Sequence, residues 1–137
     1  AGVHPEDLAI DGVDVSREAV ARWSAAVDRG GSVRATEDHG HRFCHTVPAG
    51  KLVNADVRRL VHFEQSNMLD SGFCTPHEAY DVIFCRNLFI YFNMATVTHV
   101  VDAFADILPS PGYLCVGAAE SLLRLTTKFD LREMAGA

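Results

Sequence analysis

Between Tyr80 and Glu120 lie two apolar runs, YDVIFC and YLCVGAAE, joined by a stretch in which Val97, Val100, Val101, Phe104, Ile107 and Leu108 recur at i, i+3, i+4, i+7, i+10 and i+11. No other feature of the chain restricts its fold so tightly. The apolar stretch after Asp81 suits a strand buried on both faces of a parallel sheet, and the repeat is the one-sided stripe of a helix. Asn93 stands where a side-chain oxygen can cap that helix, and Pro109-Ser110-Pro111-Gly112 ends it. Parallel strands need such a crossover, because a tight turn cannot join them.

The first half repeats the alternation of strand and helix. DLAIDGVDV, residues 7–15, is an apolar run ending in acidic residues, and Ser16 is placed to cap REAVARWSAAVDR. In that helix Ala19, Val20, Trp23, Ala26 and Val27 share one face, and Gly30-Gly31 supplies a stop. From about 32 to 54 the periodicity fails, and HRFCHTV and KLVN flank Pro48-Ala49-Gly50, which predicts a small antiparallel hairpin insertion. NADVRRL adds a brief helix, and VHFEQSN alternates Val61, Phe63 and Gln65 against His62, Glu64 and Ser66 as a strand does. The expected class is α/β with a mostly parallel sheet, built as one domain over residues 1–137.

Composition removes several function classes. A net charge of −6 and no basic run longer than Arg58-Arg59 leave no surface for a phosphate backbone, so nucleic acid is not an expected partner. No apolar run approaches the roughly 20 residues of a membrane-spanning helix, and AGVHPEDLAI lacks the pattern of a signal peptide. Without membrane insertion, a cytoplasmic protein is expected. Cys44, Cys74, Cys85 and Cys115 are far apart in sequence and read as reduced thiols.

Two places could carry chemistry. Asp14 ends a strand just before a helix, where doubly wound folds hold ribose hydroxyls; the other reading is a turn or cap residue. CRNLFIYF is the more informative block, since a buried strand there runs straight into Arg86 and Asn87, where ligands of such sheets collect. A helical continuation after Cys85 would put Asn87 and Tyr91 on one face. Against this, Tyr91 beside Phe92 would more ordinarily be a core residue, and Arg86 a partner of some carboxylate.

YDVIFCRNLFIYFN, an amphipathic helix, and then LPSPGYLCVGAAESLLRL together resemble the signature block of the CheR-type chemotaxis-receptor glutamate methyltransferases. GVDVSREAV and RRLVHFEQSNMLD resemble that family's acidic strand and the strand that follows, so the likeness runs from about Leu8 to about Leu131. The resemblance implies a Rossmann-like class I methyltransferase fold with S-adenosylmethionine as cofactor and S-adenosylhomocysteine as product. It implies Asp14 on the ribose, Val15, Asn67 and Met68 near the adenine, and Cys85, Arg86 and Asn87 near the methionine part. Tyr91 would lie close to the transferred methyl, so Tyr91 and Arg86 are the catalytic candidates. The implied partner is a chemoreceptor or another signalling protein.

The departures generate expectations of their own. The family's first strand with its Gly-rich loop, and its last strand, have no counterpart in this sequence, so the domain is expected to be partial at both ends. The gap between the Asp14 strand and YDVIFC would be closed by direct pairing of those strands, by a strand swapped in a homodimer, or by the rest of a longer protein. A degenerate module that binds or dimerises without catalysis is the competing function. Asp38, His39, His41, Cys44 and His45 in DHGHRFCH could hold zinc, but their spacing is not a standard pattern; a polar loop is expected, with no metal.

Overall fold

A computed structural model describes residues 4–28, 42–70, 72–73, 79–122, 125–130 and 132. The chain divides into two compact units, Ala1–Asn67 and Met68–Ala137.

In the first unit, a single 3-10 turn at Pro5–Asp7 leads into strand β1, Ile10–Asp14. The Ser16 hydroxyl accepts the Ala19 N–H at 3.2 Å, and helix α1 runs Arg17–Ser24. Its inner face buries Ala19 and brings Trp23 to 6.0 Å from Phe63, centroid to centroid. The helix is shorter than the periodicity predicts. Ala26 adopts φ 53°, which breaks the spiral, and Val27 enters β2, Val27–Asp28. There its backbone pairs with a hairpin formed by β3, Cys44–Val47, and β4, Gly50–Val53, in the order β2-β4-β3. Sheet pairing thus outweighs helical periodicity in this segment; Gly30-Gly31 lies outside the described residues. Asn54 ties the hairpin down: its Nδ2 donates to the Arg42 carbonyl at 3.1 Å and its Oδ1 meets His45 Nδ1 at 3.0 Å.

A one-turn helix, α2, Ala55–Arg58, precedes β5, Val61–Gln65, which pairs in parallel with β1 from Ile10↔Val61 to Asp14↔Gln65. Gly12 faces Phe63 so closely that a Cβ on it would stand 2.6 Å from the ring. The missing side chain lets the Phe63 ring lie flat over β1.

The second unit is the β-α-β element expected from the two apolar runs. Strand β6, Val82–Cys85, and β7, Tyr113–Val116, pair in parallel in the register Val82↔Tyr113 to Cys85↔Val116. Between them a single 3-10 turn at Phe89–Tyr91 precedes helix α3, Met94–Ile107. Asn93 Oδ1 accepts the Thr96 N–H at 2.9 Å, the expected cap. Val97, Val100, Val101, Phe104 and Ile107 are all buried and form the core with Cys85 and Phe89.

One expectation is corrected. β6 is not buried on both faces: Ile83 and Cys85 turn toward α3, while Val82, Phe84 and, on β7, Tyr113 are exposed, Phe84 at 76%. The helix covers one side of the pleat, and alternate residues leave by the other. Within the first unit β1 bonds to β5, and within the second β6 bonds to β7. Among the described residues no helix is long and apolar enough to cross a membrane.

Candidate functional site

At the end of β1 the backbone leaves the sheet through a tight turn closed by Asp14, whose Oδ1 accepts the Ser16 N–H at 2.7 Å. The other carboxylate oxygen accepts no hydrogen bond from the described residues. Ser66 N–H donates to the Asp14 carbonyl at 3.1 Å and Gln65 Nε2 donates to the Val15 carbonyl at 3.0 Å, so the ends of β1 and β5 are tied together. Arg17 Nε completes the cluster by donating to Gln65 Oε1 at 3.3 Å. Val15 projects outward at 67% exposure, and Asn67 is half-buried. Gln65 was not singled out by sequence pattern, which marks only its strand.

In the second unit Cys85, Arg86 and Asn87 leave the end of β6 as one turn, and Met68 packs against that unit's core. The helical continuation predicted after Cys85 does not form. Asn87 takes φ 58°, a left-handed conformation that Asn tolerates better than most residues, and Leu88 returns to φ −116° and ψ −43° before the 3-10 turn. Asn87 and Tyr91 therefore do not sit on consecutive turns of one helix. Tyr91 is 76% exposed rather than a core residue, and Arg86 is exposed with no ion-pair partner among the described residues.

This turn is organised by a residue that sequence reasoning did not single out. Glu120, 5% exposed, accepts the N–H groups of Leu88 at 2.6 Å and Phe89 at 2.7 Å on Oε1, and those of Asn87 and Gly117, both at 2.7 Å, on Oε2. Successive amides in a left-handed then right-handed turn form a natural anion cradle, here filled by the chain's own carboxylate. Burial pushes the Glu120 pKa up, but the four backbone N–H bonds, from Gly117, Asn87, Phe89 and Leu88, outweigh it and hold the pKa below the usual 4.5. The available signal was a lone acid in the apolar run YLCVGAAESL. Gly117 is required beside it, because a Cβ there would lie 2.6 Å from Glu120 Oε2 and 2.9 Å from Asn87 Oδ1.

Cys85 is buried, and its thiol is pushed up to about 11, first by desolvation and then by the Glu120 charge. It is a neutral thiol at physiological pH. Cys44, Cys85 and Cys115 are all free. Of DHGHRFCH, Asp38, His39 and His41 lie outside the described residues, and His45 is engaged with Asn54. No cluster suited to a metal occurs among the described residues.

Parallel strand pairs with helices in the connections, β1 with β5 and β6 with β7, place the chain in the α/β class, in which ligands collect at the carboxyl ends of strands. The family model described as the CheR methyltransferase SAM-binding domain matches residues 1–136, and the chain belongs to that family. It is 36% identical over 125 residues to the "Probable biofilm formation methyltransferase WspC" of Pseudomonas aeruginosa, covering 90% of this chain and 29% of that protein. It is 32% identical over 124 residues to the protein of the same description in Pseudomonas putida, again 90% of this chain and 29% of the relative. A "Chemotaxis protein methyltransferase" of Vibrio parahaemolyticus is 42% identical over 79 residues, 58% of this chain and 28% of the relative. The chain thus spans less than a third of the length of these relatives.

Proposed function

We propose that this chain binds S-adenosylmethionine and serves transfer of its methyl group to a glutamate side chain of a chemoreceptor or related signalling protein in the cytoplasm, leaving S-adenosylhomocysteine. The carrying observation is that polar side chains stand at the carboxyl ends of the parallel strands of each unit: Asp14 at the end of β1, Arg86 and Asn87 just after β6. The relatives' descriptions, in chemotaxis and in biofilm formation, support a signalling protein as substrate.

The residues fit the cofactor's chemistry unit by unit. Asp14 would offer its second carboxylate oxygen to the ribose hydroxyls, a charge-assisted arrangement. Val15, Asn67 and Met68 would flank the adenine. Cys85, Arg86 and Asn87 would line the methionine portion, with Tyr91 beside the path of the methyl group. When bound, S-adenosylmethionine supplies an electrophilic methyl on a cationic sulfur.

The target glutamate is already ionised near neutral pH, so no general base is needed and the protein's work is alignment and exclusion of water. The Tyr91 ring, electron-rich and exposed, suits the neighbourhood of a cation. Arg86, without an acidic partner among the described residues, would orient a carboxylate.

Calorimetric titration of the chain with S-adenosylhomocysteine tests this reading. Micromolar binding that Asp14→Ala abolishes and Tyr91→Ala leaves largely intact is expected. A folded chain that takes up no ligand would instead support the competing reading, a methyltransferase-like module without cofactor chemistry.

A further inference from the structure

A buried carboxylate without a cation is a costly component for a small core, and an apolar residue at position 120 would fill the space at no such cost. Glu120 has no ion-pair partner among the described residues, and its four hydrogen bonds all come from backbone N–H groups. Three of those donors, Asn87, Leu88 and Phe89, are consecutive and belong to the turn that carries Arg86 and Asn87. The fourth, Gly117, is the residue after β7, so one side chain fastens the ends of both parallel strands. Drawing three successive amides inward requires the left-handed backbone at Asn87 and leaves the Arg86 and Asn87 side chains exposed.

We infer that Glu120 is a positioning residue: its carboxylate sets the left-handed turn at Asn87 and, through that turn, the affinity of the site for the cofactor. Because the cradle is filled internally, the turn presents side chains to a ligand instead of bare amides. The inference rests on the reading that this turn meets the cofactor.

The test uses the isotopically labelled chain with Glu120→Gln, Gly117→Ala and Val101→Ala, followed by amide NMR and by S-adenosylhomocysteine titration. Gln keeps one oxygen of two, so two of the four donors would face an NH2 group. The amide resonances of Asn87, Leu88, Phe89 and Gly117 should lie downfield in the parent, from their short charge-assisted bonds, and should move upfield in Glu120→Gln while those of α3 stay in place. Affinity should fall tenfold or more. Val101→Ala truncates a fully buried core residue outside the site; it should lower Tm and leave both the four resonances and the affinity of the folded protein unchanged.

Should Glu120→Gln fail to fold, Gly117→Ala carries the test, since its Cβ displaces Glu120 Oε2 while the charge remains. Affinity within twofold of the parent despite moved resonances overturns the inference. So does an equal loss of affinity in Val101→Ala, which would make the role one of general stability. If the parent itself takes up no S-adenosylhomocysteine, the functional reading fails, and the four resonances alone decide whether Glu120 sets the turn: unmoved resonances overturn it.

Discussion

Asp14 and Glu120 are both carboxylates that close a turn at the end of a parallel strand, and they are put to opposite uses. Asp14 holds one N–H from two residues away, and its other oxygen, without a hydrogen bond among the described residues, is the one proposed to meet the ribose. Glu120 is reached by N–H groups from as far as 33 residues away, and both of its oxygens are consumed. The lesson is that an acid at a strand end is available for binding to the extent that the backbone leaves it unsatisfied. Removing Glu120 should damage the fold, and removing Asp14 should damage only what the fold binds.

The largest expected effect follows from Glu120→Ala, which strands four N–H groups beneath the surface. A loss of about 3 kcal/mol or more in chemical denaturation is expected. A loss under about 1 kcal/mol would mean that water replaces the carboxylate, and the contrast with Asp14 would collapse. Asp14→Ala loses one local hydrogen bond to the Ser16 N–H and should change stability by no more than about 1 kcal/mol. Its tenfold or greater loss of ligand affinity, about 1.4 kcal/mol, should appear in titration alone. Asn93 is an intermediate case, local like Asp14 and structural like Glu120; Asn93→Ala should cost about 1 kcal/mol by thermal unfolding.

The pH dependence sharpens the comparison further. Since the folded pKa of Glu120 lies below its ordinary 4.5, its stabilisation is complete above about pH 4.5 and is lost as pH falls through the folded value. Denaturation midpoints measured from pH 6 downward should therefore decline more steeply in the parent than in Glu120→Gln. Parallel curves for the two proteins would remove Glu120 as the cause. Cys85 works at the other end of the scale. Its folded pKa, raised from 9.0 to about 11, retains a proton that the unfolded chain gives up, so this contribution is whole below pH 9 and fades as pH rises toward 11. At pH 8, iodoacetamide should modify Cys85 about 100-fold more slowly than a cysteine in a short peptide, followed by mass spectrometry.

Much of this architecture is legible in the residue order. The stripe from Val97 to Ile107, the caps at Ser16 and Asn93, and the Pro48-Ala49-Gly50 turn each reflect local periodicity or turn chemistry, and each stands in the structure. The positions of Asp14, Arg86 and Asn87 at strand ends were legible because apolar runs that stop at polar residues mark such ends. The misread segments are those where a distant partner overrides a local preference. Val27 follows helical spacing but pairs with Leu52 in β4, and Phe84 has the composition of a doubly buried strand but faces outward.

By itself, then, the sequence determined the order of strands and helices, the family and the identity of the polar residues at the strand ends, because periods, caps and motifs act over a few residues. Only the tertiary structure decided which carboxylate is consumed by four backbone N–H groups and which by a single one. Glu120 meets Asn87 across 33 positions of chain, and no pattern of neighbours in sequence records that four N–H groups converge on one buried carboxylate.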